Sequence, residues 1–399
     1  MPVPPPLALY VHLPWCVRKC PYCDFNSYTA ESGLPAAEYV AALLRDLDAE
    51  LPLLAGRTVA SVFFGGGTPS LFPGESVAAL LAGIAARVPL ASGAEVTLEA
   101  NPGTAEAGRF AAYRRAGVNR LSLGVQSFRD GPLARLGRIH SGSEAVAAYR
   151  MARDAGFANV NLDLMYGLPE DDAAGAIADL EQALALEPEH LSRYQLTLEP
   201  DTAFHRQPPR LPDEDAVAAM EATGQALLAA GGYERYEVSA YAQAGQRCHH
   251  NLNYWHFGDY AGIGAGAHGK LTGADGVVTR RMKARNPRRY LVVAGTPDAV
   301  TSEAIADPGR LTVEFMMNAL RLRKGVPLAL FIERTGLDAA RIEEARGRAE
   351  RLGLLERRRH WLVPTAMGYR FLNDLIGVFD PRSPADRERV SAVAAACVE

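Results

Sequence analysis

The chain runs to 399 residues, 48% hydrophobic and 22% charged, a composition of ordinary globular proteins and a length beyond what one core usually serves. A formal net charge of −4 argues against a dedicated nucleic-acid binder, and no run of about 18 apolar residues marks a membrane span. Five cysteines, odd in number with three clustered, suit a reducing compartment better than a disulfide framework. The opening Met-Pro-Val-Pro-Pro-Pro lacks the charged and apolar regions of a signal peptide, so a cytoplasmic protein is expected.

In chain order, strand-like runs fall at residues 7–13, 59–64, 95–99, 120–125, 160–163 and 191–198. Amphipathic helical stretches lie between and after them at 36–54, 75–88, 105–116, 143–155, 173–186 and 213–230. Six β-α units in a row predict an α/β fold with a parallel sheet and right-handed crossovers, curled into a partial (β/α)6 TIM-like barrel. Residues 236–305 read as a connecting segment after a barrel of 1–235. Beyond them, helices at 312–323, 327–335 and 338–352 with a two-stranded wing at 354–363 predict a small winged-helix-like α+β domain over 306–380. Its basic run Arg357-Arg-Arg-His360 reads as a solvated hairpin tip, and the candidate recognition helix carries three glutamates, so nucleic acid is not expected as a partner. Residues 381–399, with Cys397, read as a tail.

The strands alternate with period two. Thr97 and Glu99 oppose Val96 and Leu98, Ser122 and Gly124 oppose Leu121 and Leu123, and Asn161 and Asp163 oppose Leu162 and Leu164. A filled barrel would carry bulky branched residues inside. Three polar faces in a row instead predict a wet cavity lined by carboxylates, an amide and small residues.

Most motifs fall where a strand ends and a loop begins, the rim at which barrel enzymes place their chemistry. After the first strand comes Cys16-Val-Arg-Lys-Cys20-Pro-Tyr-Cys23. Three thiolates can hold three irons of a four-iron cube and leave the fourth iron open to an outside molecule. A closed zinc site needs four ligands, of which His12 would be the candidate fourth. After the second strand, Gly65-Gly66-Gly67-Thr68-Pro69 permits close approach of backbone to a ligand. Glu99-Ala-Asn-Pro102, Gly124-Val-Gln126 and Asp163-Leu-Met-Tyr-Gly-Leu-Pro169 follow the next three strands.

The cysteine spacing, with Tyr22 beside Cys23, resembles the radical SAM superfamily. Together with Tyr10-Val-His12-Leu-Pro14, the loop motifs and His250-Asn251-Leu-Asn-Tyr254-Trp255, it resembles the HemN/HemW family over nearly the whole chain. That resemblance implies a 4Fe-4S cluster on Cys16, Cys20 and Cys23. It also implies an S-adenosyl-L-methionine pocket lined by Tyr10, Tyr22, Gly66, Gly67, Thr68, Glu99, Gln126, Arg138 and Asp163. Carboxylates suit ribose hydroxyls and a sulfonium, and an arginine fork suits a carboxylate.

Two features depart from the porphyrinogen-oxidising members, the oxygen-independent coproporphyrinogen III dehydrogenases. Cys23 is followed by Asp24-Phe25-Asn26 where they carry a further cysteine, and only nine residues precede Tyr10. The resemblance therefore leans to the HemW branch, read as heme chaperones. Heme, bound with His250 as a ligand, is then the cargo, and heme-accepting proteins such as respiratory-chain components are the partners; a homodimer is compatible. The alternative is a radical SAM oxidoreductase acting on a porphyrinogen. From the residues alone, His249, His250 and the aromatics Tyr254, Trp255 and Phe257 serve equally to hold heme or to stabilise a loop. Gly262-Ile-Gly264-Ala-Gly266-Ala-His268-Gly269 lacks the β-α context of a dinucleotide site and reads as a loop near the barrel mouth.

Overall fold

The computed structural model describes residues 4–30, 33–104 and 107–380; the tail at 381–399 lies outside them. Six strand-helix units open the chain: β1 (Leu7–Leu13), α1 (Ala36–Leu54), β2 (Val59–Gly66), α2 (Gly74–Ala85), β3 (Leu90–Ala100), α3 (Ala107–Ala116), β4 (Arg120–Gln126), α4 (Gly142–Asp154), β5 (Val160–Tyr166), α5 (Ala173–Ala185), β6 (His190–Gln195) and α6 (Glu214–Ala230). The helices start where local chemistry supplies acceptors for their first N–H groups. Ser141 and Glu144 form a reciprocal capping box, and Asp172 and Asp213 cap α5 and α6. On α1, Tyr39, Leu43, Leu47 and Leu54 form one buried stripe against the sheet.

β1 to β6 pair in parallel and in sequence order. The stretch after α6 extends this sheet at both edges. β7 (Glu234–Arg235) and β8 (Ala240–Ala242) add antiparallel beyond β6. On the other side β9 (Asp259–Ile263) joins β1 in parallel, and β10 (His268–Thr272), β11 (Val278–Lys283) and β12 (Val300–Ala304) continue antiparallel. The result is one sheet of 12 strands in the order β12-β11-β10-β9-β1-β2-β3-β4-β5-β6-β8-β7. The helix α7 (His249–Trp255) lies between β8 and β9 in the chain.

Apolar residues on the outer face of the sheet, among them Leu9, Val62, Leu98, Leu123 and Leu162, form the main core with the helices. The opposite face is polar, as the period-two alternation predicts, and Glu99, Ser122, Gln126 and Asp163 line an internal cavity. Strand β11, next to the edge of the sheet, is held by a buried ionic knot: Lys283 Nζ lies 2.5 Å from both Asp46 Oδ1 and Glu50 Oε1 of α1, and Tyr290 donates to Asp46 at 2.7 Å. Charges this deep are tolerated because they are mutually paired.

A second core gathers the C-terminal helices α8 (Pro308–Ala319), α9 (Leu328–Thr335) and α10 (Ala340–Arg351). Phe257 and Val278 from the preceding segment are part of it. The wing carries a pairing beyond its expected form. Residues 354–363 fold back on themselves, with Glu356 N–H donating to the Val363 carbonyl at 2.9 Å and Leu355 bridging to Pro364, and a further short ladder pairs Val326–Pro327 with Trp361–Leu362. A two-residue strand ahead of α9 gives no periodicity for sequence reading to detect.

Candidate functional site

All the motif loops gather at the C-terminal rim of the parallel strands. Trp15–Cys16 pairs with Tyr28–Thr29, closing the cysteine loop at its base. The glycine loop is strapped to that base: Gly67 N–H donates to the Leu13 carbonyl at 2.8 Å and Thr68 N–H to the Trp15 carbonyl at 2.7 Å. Any Cβ at position 67 would stand 2.5 Å from the Trp15 oxygen, and one at 66, where φ is +116°, would stand 2.6 Å from the His12 ring. Glycine is required at both positions.

Cys16, Cys20 and Cys23 are half-buried free thiols facing one cavity of about 730 Å³. Tyr22, Gly66, Gly67, Thr68, Glu99, Gln126, Arg138 and Asp163 line the same cavity. Among the described residues no three His, Cys, Asp or Glu side chains are arranged to hold a single metal ion. His12, the candidate fourth zinc ligand, is engaged on both ring nitrogens, by the Tyr10 hydroxyl at 3.1 Å and the Asn26 carbonyl at 2.9 Å. Three thiols around a shared space with no fourth protein ligand suit an open-sited iron-sulfur cube better than zinc.

The charges around the cavity are tuned by burial. Arg138 donates to the Gly124 carbonyl at 2.7 Å and directs its other Nη at Cys20 Sγ, 3.6 Å away. Burial together with the Asp163 charge pushes the Glu99 carboxyl up to about 8, against the pull of the Gly66 N–H at 3.3 Å. Asp163 is raised by burial too, eased by Asn161, Ser192 and Ser122. Burial raises the Cys16 and Cys23 thiols, which feel each other and Cys20 across the cavity.

Two buried polar atoms here, Arg138 Nε and Gln126 Oε1, have no partner. Gln126 also holds a left-handed φ of 64°, a conformation a non-glycine residue keeps only under constraint. Unspent hydrogen-bonding capacity and backbone strain in one cavity mark a place built for a polar ligand. An arginine fork with two carboxyls fits the carboxylate, ammonium and ribose groups of S-adenosyl-L-methionine.

Tyr10 and His250 sit deeper in the barrel, outside the wall of that cavity, around a smaller polar space that also touches Glu99 and Asp163. His250 is completely buried. Its Nδ1 is hydrogen-bonded to Ser61 Oγ at 3.0 Å and its Nε2 to the Tyr254 hydroxyl at 2.9 Å, so in this arrangement neither nitrogen is free for an iron. Burial, then the Arg120 charge, hold its pKa down at about 3 and the ring stays neutral. The start of α7 is fixed from another strand: Glu95 accepts from the backbone N–H groups of His249 and His250, both at 3.0 Å, and from the Cys248 thiol at 3.4 Å. The His-Asn-x-x-Tyr-Trp segment is thus an anchored helix that presents Tyr254 and Trp255 to a neighbouring cavity.

Sequence reading passes over several residues of the site. Tyr194 lines the cofactor cavity and its hydroxyl accepts from the Gln126 side-chain amide Nε2 at 3.4 Å; its signal is the alternation of Ser192 and Tyr194 on β6. Arg120, buried among Glu95, Cys248 and Asp163, sits on β4 with no local sign of its partners. Phe25, His268 and Arg285 come together only through the sheet.

Residues 10–180 match the Radical SAM superfamily and residues 310–371 the HemN C-terminal domain. In the solved structures, coproporphyrinogen III oxidase (HemN) from Escherichia coli shares this fold, with a TM-score of 0.80 at 22% identity, covering 95% of this chain and 91% of that one. Fold and cysteine loop together are those of a radical SAM protein with a HemN-type accessory domain. Heme chaperone HemW of Escherichia coli is 50% identical over 94% of this chain and 98% of its own length. Its counterpart in Haemophilus influenzae is 46% identical over 95% and 99%. The chain belongs to the HemW family.

Proposed function

We propose that this chain is a heme chaperone that binds a 4Fe-4S cluster, S-adenosyl-L-methionine and heme, and passes heme to acceptor proteins such as respiratory-chain components. One observation carries the cofactor half of this reading: three free thiols share a cavity with an unpartnered Arg138 Nε and Gln126 Oε1. Cys16, Cys20 and Cys23 would hold the cluster. Arg138 would take the carboxylate of S-adenosyl-L-methionine, Gly66 and Gly67 leave room for its amino end, and Glu99 and Asp163 face its ribose and sulfonium. Bound together, these two groups supply one-electron chemistry at the sulfonium.

The heme half is supported by the names of the relatives and by an aromatic cavity of about 640 Å³ adjoining the first. His250 enters as the residue that orients Tyr254 at its wall. No helix among the described residues is long and apolar enough to cross a membrane; the cysteine usage, with three thiols needed reduced for a cluster, supports placing the protein in the cytoplasm, and a homodimer is compatible with this reading.

The test is anaerobic reconstitution of the cluster, followed by hemin titration read by absorbance and by chromatography of coproporphyrinogen. Stoichiometric hemin uptake without porphyrinogen consumption is expected. Porphyrinogen turnover without hemin uptake would replace the chaperone with the oxidoreductase reading.

A further inference from the structure

The 640 Å³ cavity and the cofactor cavity share Asp24, Phe25, Gly66 and Glu99 as a common wall. On its far side stands the β10–β11 hairpin, where His268 and Met282 are directly paired across the strands. His268 is anomalous in its setting. Residues 261–267 and 269–271 are all buried, yet His268 between them is exposed and opens to the cavity. Among the described residues nothing hydrogen-bonds its ring, in contrast to His12, His190 and His250, whose ring nitrogens are all engaged. Partial burial, then the charges of Arg280 and Arg285, keep it below the ordinary histidine pKa, so at neutral pH it is the uncharged form that ligates metals.

The rest of the wall has complementary chemistry. Phe25, two residues past the last cluster cysteine, leaves 59% of its surface exposed at the lip. Tyr254 and Tyr260 form an edge-to-face pair with ring centroids 4.5 Å apart on the opposite side. Arg280 is committed to Glu314 and the Tyr260 hydroxyl, whereas Arg285 is exposed and has no ion pair among the described residues. A flat apolar ligand bearing a metal at its centre and carboxylates at its edge matches this set: imidazole for the metal, aromatic rings for the faces, a free guanidinium for the rim. A volume of about 640 Å³ lies within the usual span for such sites.

Resting on the heme reading above, we propose that His268 is the protein ligand to heme iron, with Phe25 covering the macrocycle and Arg285 pairing a propionate. Directly opposed residues of an antiparallel pair project to the same side, so Met282 flanks the same face and cannot serve as the ligand from the other one. His250 keeps its role in holding α7.

The experiment is hemin titration of the full chain carrying the reconstituted cluster, comparing wild type, His268→Gly and His268→Gly with added imidazole, by Soret absorbance and electron paramagnetic resonance. His268→Gly should bind hemin roughly tenfold or more weakly and lose the wild-type ligand-field signature, with iron and sulfide content unchanged. Imidazole should restore that signature, which a structural lesion would not allow. Unchanged hemin affinity and spectrum in His268→Gly would overturn the assignment while leaving heme binding intact. Failure of the wild-type chain itself to bind hemin would overturn the heme reading and the assignment with it.

Discussion

Arg138 stands between the two halves of the cofactor cavity: one Nη is 3.6 Å from Cys20 Sγ, the other is fixed to the Gly124 carbonyl at 2.7 Å, and Nε has no partner. A guanidinium held by one backbone bond beside a thiolate cluster retains the donors that a substrate carboxylate needs. Replacing Arg138 with alanine should therefore weaken S-adenosyl-L-methionine binding roughly ten- to a hundredfold, the worth of a charged hydrogen bond. Iron and sulfide should be retained. Calorimetric titration of the reconstituted variant checks it, and affinity equal to wild type would mean the carboxylate binds elsewhere.

Each of Cys16→Ala, Cys20→Ala and Cys23→Ala should abolish bound iron and sulfide, because among the described residues the cavity offers no further thiol; Cys248 is buried elsewhere, hydrogen-bonded to Glu95. The measurement is iron and acid-labile sulfide after anaerobic reconstitution. Retention of full iron in all three variants would disprove the cluster site.

Glu99 gives the cavity a pH dependence. With its carboxyl pushed up to about 8 by burial and Asp163, it is largely protonated at neutral pH, and a cationic ligand favours the ionised form. Affinity for S-adenosyl-L-methionine should climb as pH rises toward 8 and level off above it, by up to about tenfold per unit. Glu99→Gln should remove this part of the slope. Titrations from pH 6.5 to 9 test it, and equal slopes in both proteins would exclude Glu99 as the responsible group.

What the sequence makes legible follows from the range of the interactions involved. β1 and α1 have the bounds that period and composition indicate, Leu7–Leu13 and Ala36–Leu54, because strand alternation and an amphipathic stripe are local signals. The eleven cavity residues were reachable through the resemblance of their motif loops to the radical SAM and HemN/HemW families, and local strand pattern alone does not single them out: Arg138 lies beyond the end of β4 at Gln126, with a short helix at Asp130–Arg135 between. The segment at 236–305 was harder, since the partner of Asp259–Ile263 is β1, some 250 positions earlier, and parallel pairing over such a distance leaves no mark in either strand alone. The direction of the His250 ring was equally hidden, because Ser61 and Glu95, which fix it and its helix, lie on β2 and β3.

The knot of Lys283, Asp46 and Glu50 supports that late-joining edge of the sheet. Lys283→Met would leave Asp46 facing the interior with only Tyr290 and the Gly264 N–H as donors. A loss of about 3–5 kcal/mol in unfolding free energy is expected, as for other half-broken buried ion pairs. Urea denaturation measures it. A loss below about 1 kcal/mol would put this contact in the class of surface pairs.

His250→Ala separates the structural part of the His-Asn-x-x-Tyr-Trp segment from heme binding. Removing the ring leaves Ser61 Oγ and the Tyr254 hydroxyl without their shared partner and opens a cavity, at a cost of about 2–4 kcal/mol at pH 7. The pH dependence has a definite sign. The folded ring titrates near 3 and the unfolded one near 6.5, so the unfolded state takes up a proton that the folded state refuses. The stability that the neutral ring provides is complete above pH 6.5 and is lost as pH falls toward 3. The alanine variant lacks this component, so its deficit relative to wild type should narrow by about 2 kcal/mol between pH 7 and pH 5. Paired urea titrations at the two pH values decide it: a constant gap would show that His250 is not held neutral in the folded chain.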